Sequence, residues 1–240
     1  MTFTIAKLRL GRRTVRARPD MPILSEVFAT GPSDAAAVGF VLARLALGGR
    51  TQGQTQGQTQ GKAPILWVQD RLSRQESGSP YLPGLPGLCG RPVIRVDVSR
   101  PADALWAMEE GLRCKALAAV IGEISGDPPA LNFTATKRLA LRAEASKVPC
   151  WLIRRAGSAD LSAARDRWRI TSLPSAPHPY DPQAPGAPRW RAELFRSRHH
   201  QPGIWVTGDE RAADPVSLSA AFRDGTLAAG DGKAERRAAR

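Results

Sequence analysis

Residues 26–42 read EVFATGPSDAAAVGFVL: a short apolar strand, then Gly31-Pro32 with small and polar residues, then the start of a helix. Phosphate-binding loops of the form G-x-x-x-x-G-K-[ST] share this outline. In them backbone N–H groups cradle phosphate, the lysine reaches the outer phosphates and the hydroxyl holds magnesium. Gly31 permits the tight turn, and the helix behind it offers a positive N-terminus to an anion. The sixth, seventh and eighth positions, however, are Ala36, Ala37 and Val38. Ala37 has no ammonium, Val38 has no hydroxyl, and Ala36 carries a Cβ where close backbone approach wants none. Asp34 adds a negative charge beside the would-be phosphates. The loop Gly31, Pro32, Ser33, Asp34 is therefore expected to act as a turn and helix cap, with Ser33 or Asp34 taking first-turn N–H groups, rather than as an ATP-hydrolysing site.

Two carboxylates complete the case to be weighed. Asp70 ends the run PILWVQD and Glu123 ends LAAVIGEI, so both are expected at one edge of a sheet, where a pair of acids could hold magnesium. Without a lysine and a hydroxyl to finish the site, capping or pairing with nearby arginines is the favoured role. Nucleophilic and metal chemistry find little support. His178, His199 and His200 fall into no ligand pattern, and neither G-x-S-x-G nor C-x-x-C occurs, so no catalytic residue, metal or cofactor is expected. Nucleic-acid contact is a stronger candidate. Arg189, Arg191, Arg196 and Arg198 surround Trp190 in PRWRAELFRSR, and Arg12 and Arg13 sit in a basic arm with Arg16 and Arg18. Strand alternation turns Trp190 inward and leaves the arginines available, and a solvated charge run explains them as well.

The elements that must position these residues alternate regularly. After the first strand and the helix SDAAAVGFVLARLAL come the strands PILWVQD and VIRVDVS, a helix opened by Ser99 and Pro101 with Leu105, Met108 and Leu112 in one stripe, the buried strand LAAVIGEI, the helix TATKRLALRAEASKV and the strand PCWLIRR. Such alternation predicts an α/β fold with a mostly parallel sheet flanked by helices. From Ala163 the period changes to two: RWRITSL, PRWRAELFRSR and GIWVTGD read as antiparallel strands forming a C-terminal hairpin extension. Trp168, Ile170, Trp190, Ala192, Leu194, Ile204 and Val206 should face inward, and SRHHQPG should make the turn.

Three segments lie outside this rhythm. Residues 1–22 form a basic arm, at most a short edge strand followed by arginines; residues 23–209 form the domain; residues 210–240 are a largely flexible tail. Within the domain, 51–61 is a Thr/Gln/Gly repeat that can bury nothing, and 174–188 is a Pro-rich, mobile connection. A short helix around Ser217 to Phe222 makes Val216, Leu218 and Phe222 a candidate partner-binding segment. The net charge of +13 favours anionic partners. The three scattered cysteines fit a reduced, intracellular protein, and no apolar run is long enough for a membrane span.

In order and in residues, the chain resembles the ImuA family, RecA-like accessory proteins of damage-induced (SOS) mutagenesis related to RecA and SulA. The resemblance is carried by DALWAMEEGLRCKALAAVIGEI, ATKRLALRAEASKVPCWLIRR, SAARDRWRI and GAPRWRAELFRSR, in the family's order, over roughly Leu24 to Thr207. A shortened Gly-rich lead and the Thr-Gln-Gly insertion depart from the family. The resemblance implies a RecA-like sheet in which GPSDAAAV stands where the P-loop would be, with Glu123 and Asp70 near the magnesium-contacting and water-orienting acids. It further implies a non-catalytic adaptor in DNA repair and error-prone translesion synthesis. Its partners would be ImuB, RecA and an error-prone DNA polymerase, with DNA as a further contact and no membrane, and its place the cytoplasm, at the nucleoid during DNA damage. The residues leave two alternatives open: an active RecA-like ATPase with DNA-dependent activity, and a sequence-independent DNA-binding protein.

Overall fold

In the computed structural model of the chain, the described residues are 23–51, 63–82, 91–181 and 183–207, with short strands at 9–10, 13–14 and 218–220. Apolar runs of six or seven residues become strands buried along their whole length. These are β3 (Leu24–Ala29), β4 (Ile65–Asp70), β6 (Ala119–Ser125) and β7 (Cys150–Arg155). Burial on both faces is what continuous apolar runs require, and helices supply it. Helix α1 (Ala36–Thr51) covers one face, packing Ala37, Phe40 and Val41 against Val27, Trp67, Ile121 and Ile153. On the other face α3 (Pro101–Gly111) and α4 (Phe133–Ser146) bury Leu105, Met108, Leu139 and Ala143 against Val68, Val120, Ile124 and Leu152. A short α2 (Arg71–Ser77) leads towards the edge strand β5 (Val93–Val98).

All nine strands from β3 onward join one sheet in the order β11-β10-β9-β8-β3-β7-β6-β4-β5. The pairs from β5 to β8 are parallel, so β8 (Asp166–Leu173) lies parallel to β3, with Ser25 opposite Asp166. RWRITSL opens the antiparallel part as expected, but its other edge meets β3 in parallel, which the two-residue period does not announce. Residues 156–165 carry the chain back from the end of β7 to the start of β8, and their period gives no sign of that return. On its far side β8 pairs antiparallel with β9 (Arg189–Ser197), and β10 (Gly203–Thr207) and β11 (Leu218–Ala220) continue that antiparallel extension.

Register decides the inward faces. Trp168, Ile170, Trp190, Ala192 and Leu194 are buried as expected, but on β10 the faces are reversed. Trp205 lies opposite Ala192 and is buried beside Trp168, while Ile204 is 37% exposed and Val206 half-buried. A one-residue shift exchanges every side chain between faces, and the bulky indole fills the core that Ile204 and Val206 would leave partly empty. Leu218 likewise lies in a strand rather than a helix, because the outer edge of β10 offers unpaired N–H and C=O groups that Leu218–Ala220 completes; Val216 and Phe222 lie outside the described residues.

Several local features differ from expectation. Arg9–Leu10 (β1) and Arg13–Thr14 (β2) pair antiparallel within the basic arm, whereas Arg12 and most of the Thr-Gln-Gly repeat lie outside the described residues. Thr51 closes α1 instead of opening the repeat loop. Arg100, not Ser99, occupies the N-cap of α3; it makes no side-chain cap bond, and Pro101 at the first helical position removes one of the N–H groups that would need one. Within the Pro-rich connection Pro177 and Pro185 form an antiparallel bridge. Cys150 is buried, which pushes its thiol pKa up, and Cys114 is exposed. No described helix is long and apolar enough to cross a membrane.

Candidate functional site

In an open α/β sheet ligands bind beyond the carboxyl ends of the parallel strands. Here that edge gathers the loop after β3, Asp70 of β4, Glu123 of β6 and Arg155 of β7. The loop faces the sheet with carbonyl oxygens. Arg155 Nη1 donates to Pro32 O at 3.0 Å and to Asp34 O at 3.2 Å. A phosphate would need N–H groups there; the loop instead encloses a guanidinium of its own chain. Asp34 Oδ1 accepts from Ala36 N at 2.9 Å and from Ser172 Oγ at 2.6 Å, so Asp34 caps α1 and ties the loop to β8. Thr30 Oγ1 donates to Ile170 O at 2.8 Å and makes a second tie to β8. Ser33 makes no such bond.

The three positions that would complete a phosphate loop are spent on packing. Ala37 has no exposed surface, Ala36 is buried beside it, and Val38 packs on the same core. A lysine at position 37 would place its ammonium among Phe40, Val41 and Ile153. Gly31, expected to be needed for a tight turn, has no positive φ, and an added Cβ would meet open space. Its conformational freedom is therefore not used.

Glu123 and Arg155 form the buried centre of this edge, each 1% exposed. Arg155 Nε donates to Glu123 Oε2 at 2.8 Å and Nη2 approaches the same oxygen at 2.6 Å. Glu123 Oε1 accepts from Trp67 Nε1 at 2.7 Å and Gln69 Nε2 at 3.1 Å. Both carboxylate oxygens are thus occupied. Asp70 ends β4 at the same edge, but Gln69 lies opposite Glu123 in the register, so Asp70 falls on the other face of the sheet. Its Oδ1 caps α2 through Ser73 N at 2.7 Å, and its Oδ2 accepts from Ser125 N at 3.2 Å. The two acids therefore do not converge on one ion, and neither offers a free oxygen. Among the described residues no group of three or more His, Cys, Asp or Glu is placed to hold a metal. His178 Nδ1 accepts from Tyr180 N and Asp181 N within its own loop.

Reading the chain for motifs passes over Arg155, Gln69 and Trp67, which make this site. The available signal is the pair of arginines ending the otherwise apolar PCWLIRR: charges on a fully buried strand require partners. Arg154 and Arg155 alternate in direction, so Arg154 serves the opposite face. There it bonds Asp127 and Gly126 O and stacks on Phe28. Burial alone pushes the Asp127 carboxyl up, but the Ser158 N–H at 2.9 and 3.0 Å and the Arg154 guanidinium outweigh it and hold it below the usual carboxylate range.

The sequence-predicted arginines divide into two groups. Arg189 and Arg191 lie on the face of β9 turned away from α1, where none of the described helices covers the sheet. Arg169 of β8 joins them there, sharing Glu193 with Arg191 at 3.1 and 3.9 Å. Between Arg167 and Trp168 the register skips one residue of β9, so Phe195 is the extra residue and Arg196 lies opposite Arg167 on that same face. Arg167 and Arg169 both stack on Phe195. Arg196 and Arg198 are exposed near α4. Arg13 lies in β2, and nothing further is described of its side chain.

No protein-family model matches the chain. Two curated proteins do, both named Protein ImuA, from Caulobacter vibrioides strains NA1000 / CB15N and ATCC 19089 / CIP 103742 / CB 15. Each is 32% identical over 183 residues, covering 70% of this chain and 70% of the relative. With that identity over more than two thirds of both chains, this chain belongs to the ImuA family.

Proposed function

We propose that the chain is a non-catalytic, RecA-like adaptor in DNA repair, supporting SOS-induced, error-prone translesion synthesis with ImuB, an error-prone DNA polymerase and RecA. The observation that carries this reading is the filled nucleotide edge: Arg155, held by Glu123, occupies the loop that would cradle phosphate. A chain that keeps a RecA-like sheet while closing its ligand edge has its outer surfaces left for work, and those surfaces make contacts. On this reading the protein acts in the cytoplasm, at the nucleoid during DNA damage. Copurification with ImuB and RecA tests it. Association with either at moderate salt is expected, and failure with both sinks the adaptor role. Millimolar ATP with magnesium should leave the melting temperature unchanged, since a ligand of the native state raises it; a rise restores the ATPase alternative.

A second reading has its own observation. The open face of β8 and β9 presents Arg169, Arg189 and Arg191 against the single carboxylate of Glu193. Sequence-independent DNA contact there predicts affinity that falls steeply with salt. Replacing Arg189 or Arg191 should lower the salt slope by about one in each case, and a flat salt dependence removes this reading.

A further inference from the structure

A groove of about 450 Å³ runs between α4 and the junction of β8 and β9, on the side of the sheet away from the loop after β3. Phe133, Lys137, Ala140 and Leu141 follow one another at helical spacing along α4 and form one wall. Ala163 and Ala164 of the returning segment form the other. Phe133 is 42% and Leu141 55% exposed, so two large apolar side chains stand open to water within one helix face. The rim is cationic. Arg165 is held by Glu144, Nε to Oε1 at 2.8 Å, whereas Lys137, Arg196 and Arg198 have no ion-pair partner among the described residues.

We propose that this groove docks an acidic segment of a protein partner, an extended or helical peptide whose apolar anchors cover Phe133 and Leu141 while its carboxylates meet Lys137, Arg196 and Arg198. An apolar floor under a basic rim is the complement of an amphipathic acidic peptide, the helix-in-groove mode of recognition. Nucleic acid fits less well, because a strand-binding groove stacks bases on successive aromatics, and here the floor is aliphatic apart from Phe133. The chain's own last residues, 223–240, carry more Lys and Arg than Asp and Glu, and a second copy brings the same +13 charge, so like charge opposes both occupants. The proposal rests on the adaptor reading for its biological use.

Fluorescence anisotropy on the full chain tests it with three labelled probes: a short amphipathic peptide with Leu and Phe at helical spacing and Glu and Asp elsewhere, the same peptide with Lys for every acid, and an oligo-dT strand. The acidic peptide should bind. Leu141→Asp and Arg196→Glu should each weaken it about tenfold, the scale of losing one anchor or one desolvated charge contact. Arg95→Glu, the same charge reversal on β5 at the opposite edge of the sheet, should change it less than about twofold. Leu141 is largely exposed, so the variants should keep the wild-type urea midpoint. Absence of binding by the acidic peptide, equal binding of the Lys peptide, displacement of the peptide by oligo-dT, or indifference to Leu141→Asp overturns the proposal. So does concentration-dependent dimerisation abolished by Leu141→Asp. If the wild-type chain associates with ImuB and RecA while the peptide fails, the groove is refuted and the adaptor role stands; if association itself fails, the fault lies with the adaptor reading.

Discussion

Replacing Arg155 by Met should destabilise the fold by about 3–5 kcal/mol, the cost of leaving one charge of a buried ion pair without its partner. The structure sets the terms. Glu123 would stay buried with Trp67 Nε1 and Gln69 Nε2 as donors but with no cation. Pro32 O and Asp34 O would also lose their shared donor, at smaller cost because Pro32 is exposed and Asp34 only half-buried, within reach of water. For a chain of this size the loss corresponds to about 6–20 °C in melting temperature, at roughly 2–4 °C per kcal/mol. Glu123→Gln should cost a similar amount by stranding the guanidinium. The double variant Arg155→Met with Glu123→Gln leaves neither charge of this pair buried, and should recover at least about 2 kcal/mol relative to the sum of the singles. Urea unfolding of the four proteins, read as midpoint and slope, measures the cycle. A single-variant loss below about 1 kcal/mol, or additivity within about 0.5 kcal/mol, refutes the assignment of this pair as the centre of the ligand edge. Arg155→Met should still gain no ATP-dependent stabilisation, because Ala37 and Val38 supply neither ammonium nor hydroxyl.

Other consequences are more local. Gly122→Ala places a Cβ 2.2 Å from Met108 Sδ; the flexible thioether can give way, so the cost should be about 1–2 kcal/mol, and this increment should largely vanish when the change is made on a Met108→Ala background in the same urea assay. Asn132→Ala removes the Oδ1 that accepts from Ala135 N at 3.0 Å and should cost about 1 kcal/mol, read from the far-ultraviolet dichroism melt. The Asp127 carboxyl is held below its unfolded value. Its contribution is therefore complete above that value and is lost as pH falls through the lower folded value. Since its side chain is 39% exposed, the contribution should stay below about 1 kcal/mol. Asp127→Asn should remove that part of the acid-side slope in a series of urea midpoints, and an unchanged slope counts against it.

Much of the fold was legible along the chain. Buried parallel strands announce themselves as unbroken apolar runs, and α4 as a capped stripe, because side-chain direction repeats with a period that local geometry imposes. The absence of a lysine and a hydroxyl after Gly31 was equally legible, since it is a matter of residue type alone. What stayed hidden depends on pairing. The parallel placement of β8, the inward turn of Trp205 and the strand at Leu218–Ala220 follow from which edge each segment meets, and period-two alternation is the same for either partner and either direction.

The chain by itself therefore determined the class of sheet, the absence of a lysine and a hydroxyl at positions 37 and 38, and a net charge of +13, all properties of residue type and local spacing. Only the tertiary structure decided what the loop after β3 encloses. Arg155 lies more than a hundred residues from the loop it fills, and Asp70 and Glu123, neighbours at one edge, are parted onto opposite faces by a one-residue offset in register. Long-range contacts of this kind arise when strands distant in sequence are brought side by side, and no local pattern encodes which strands those will be.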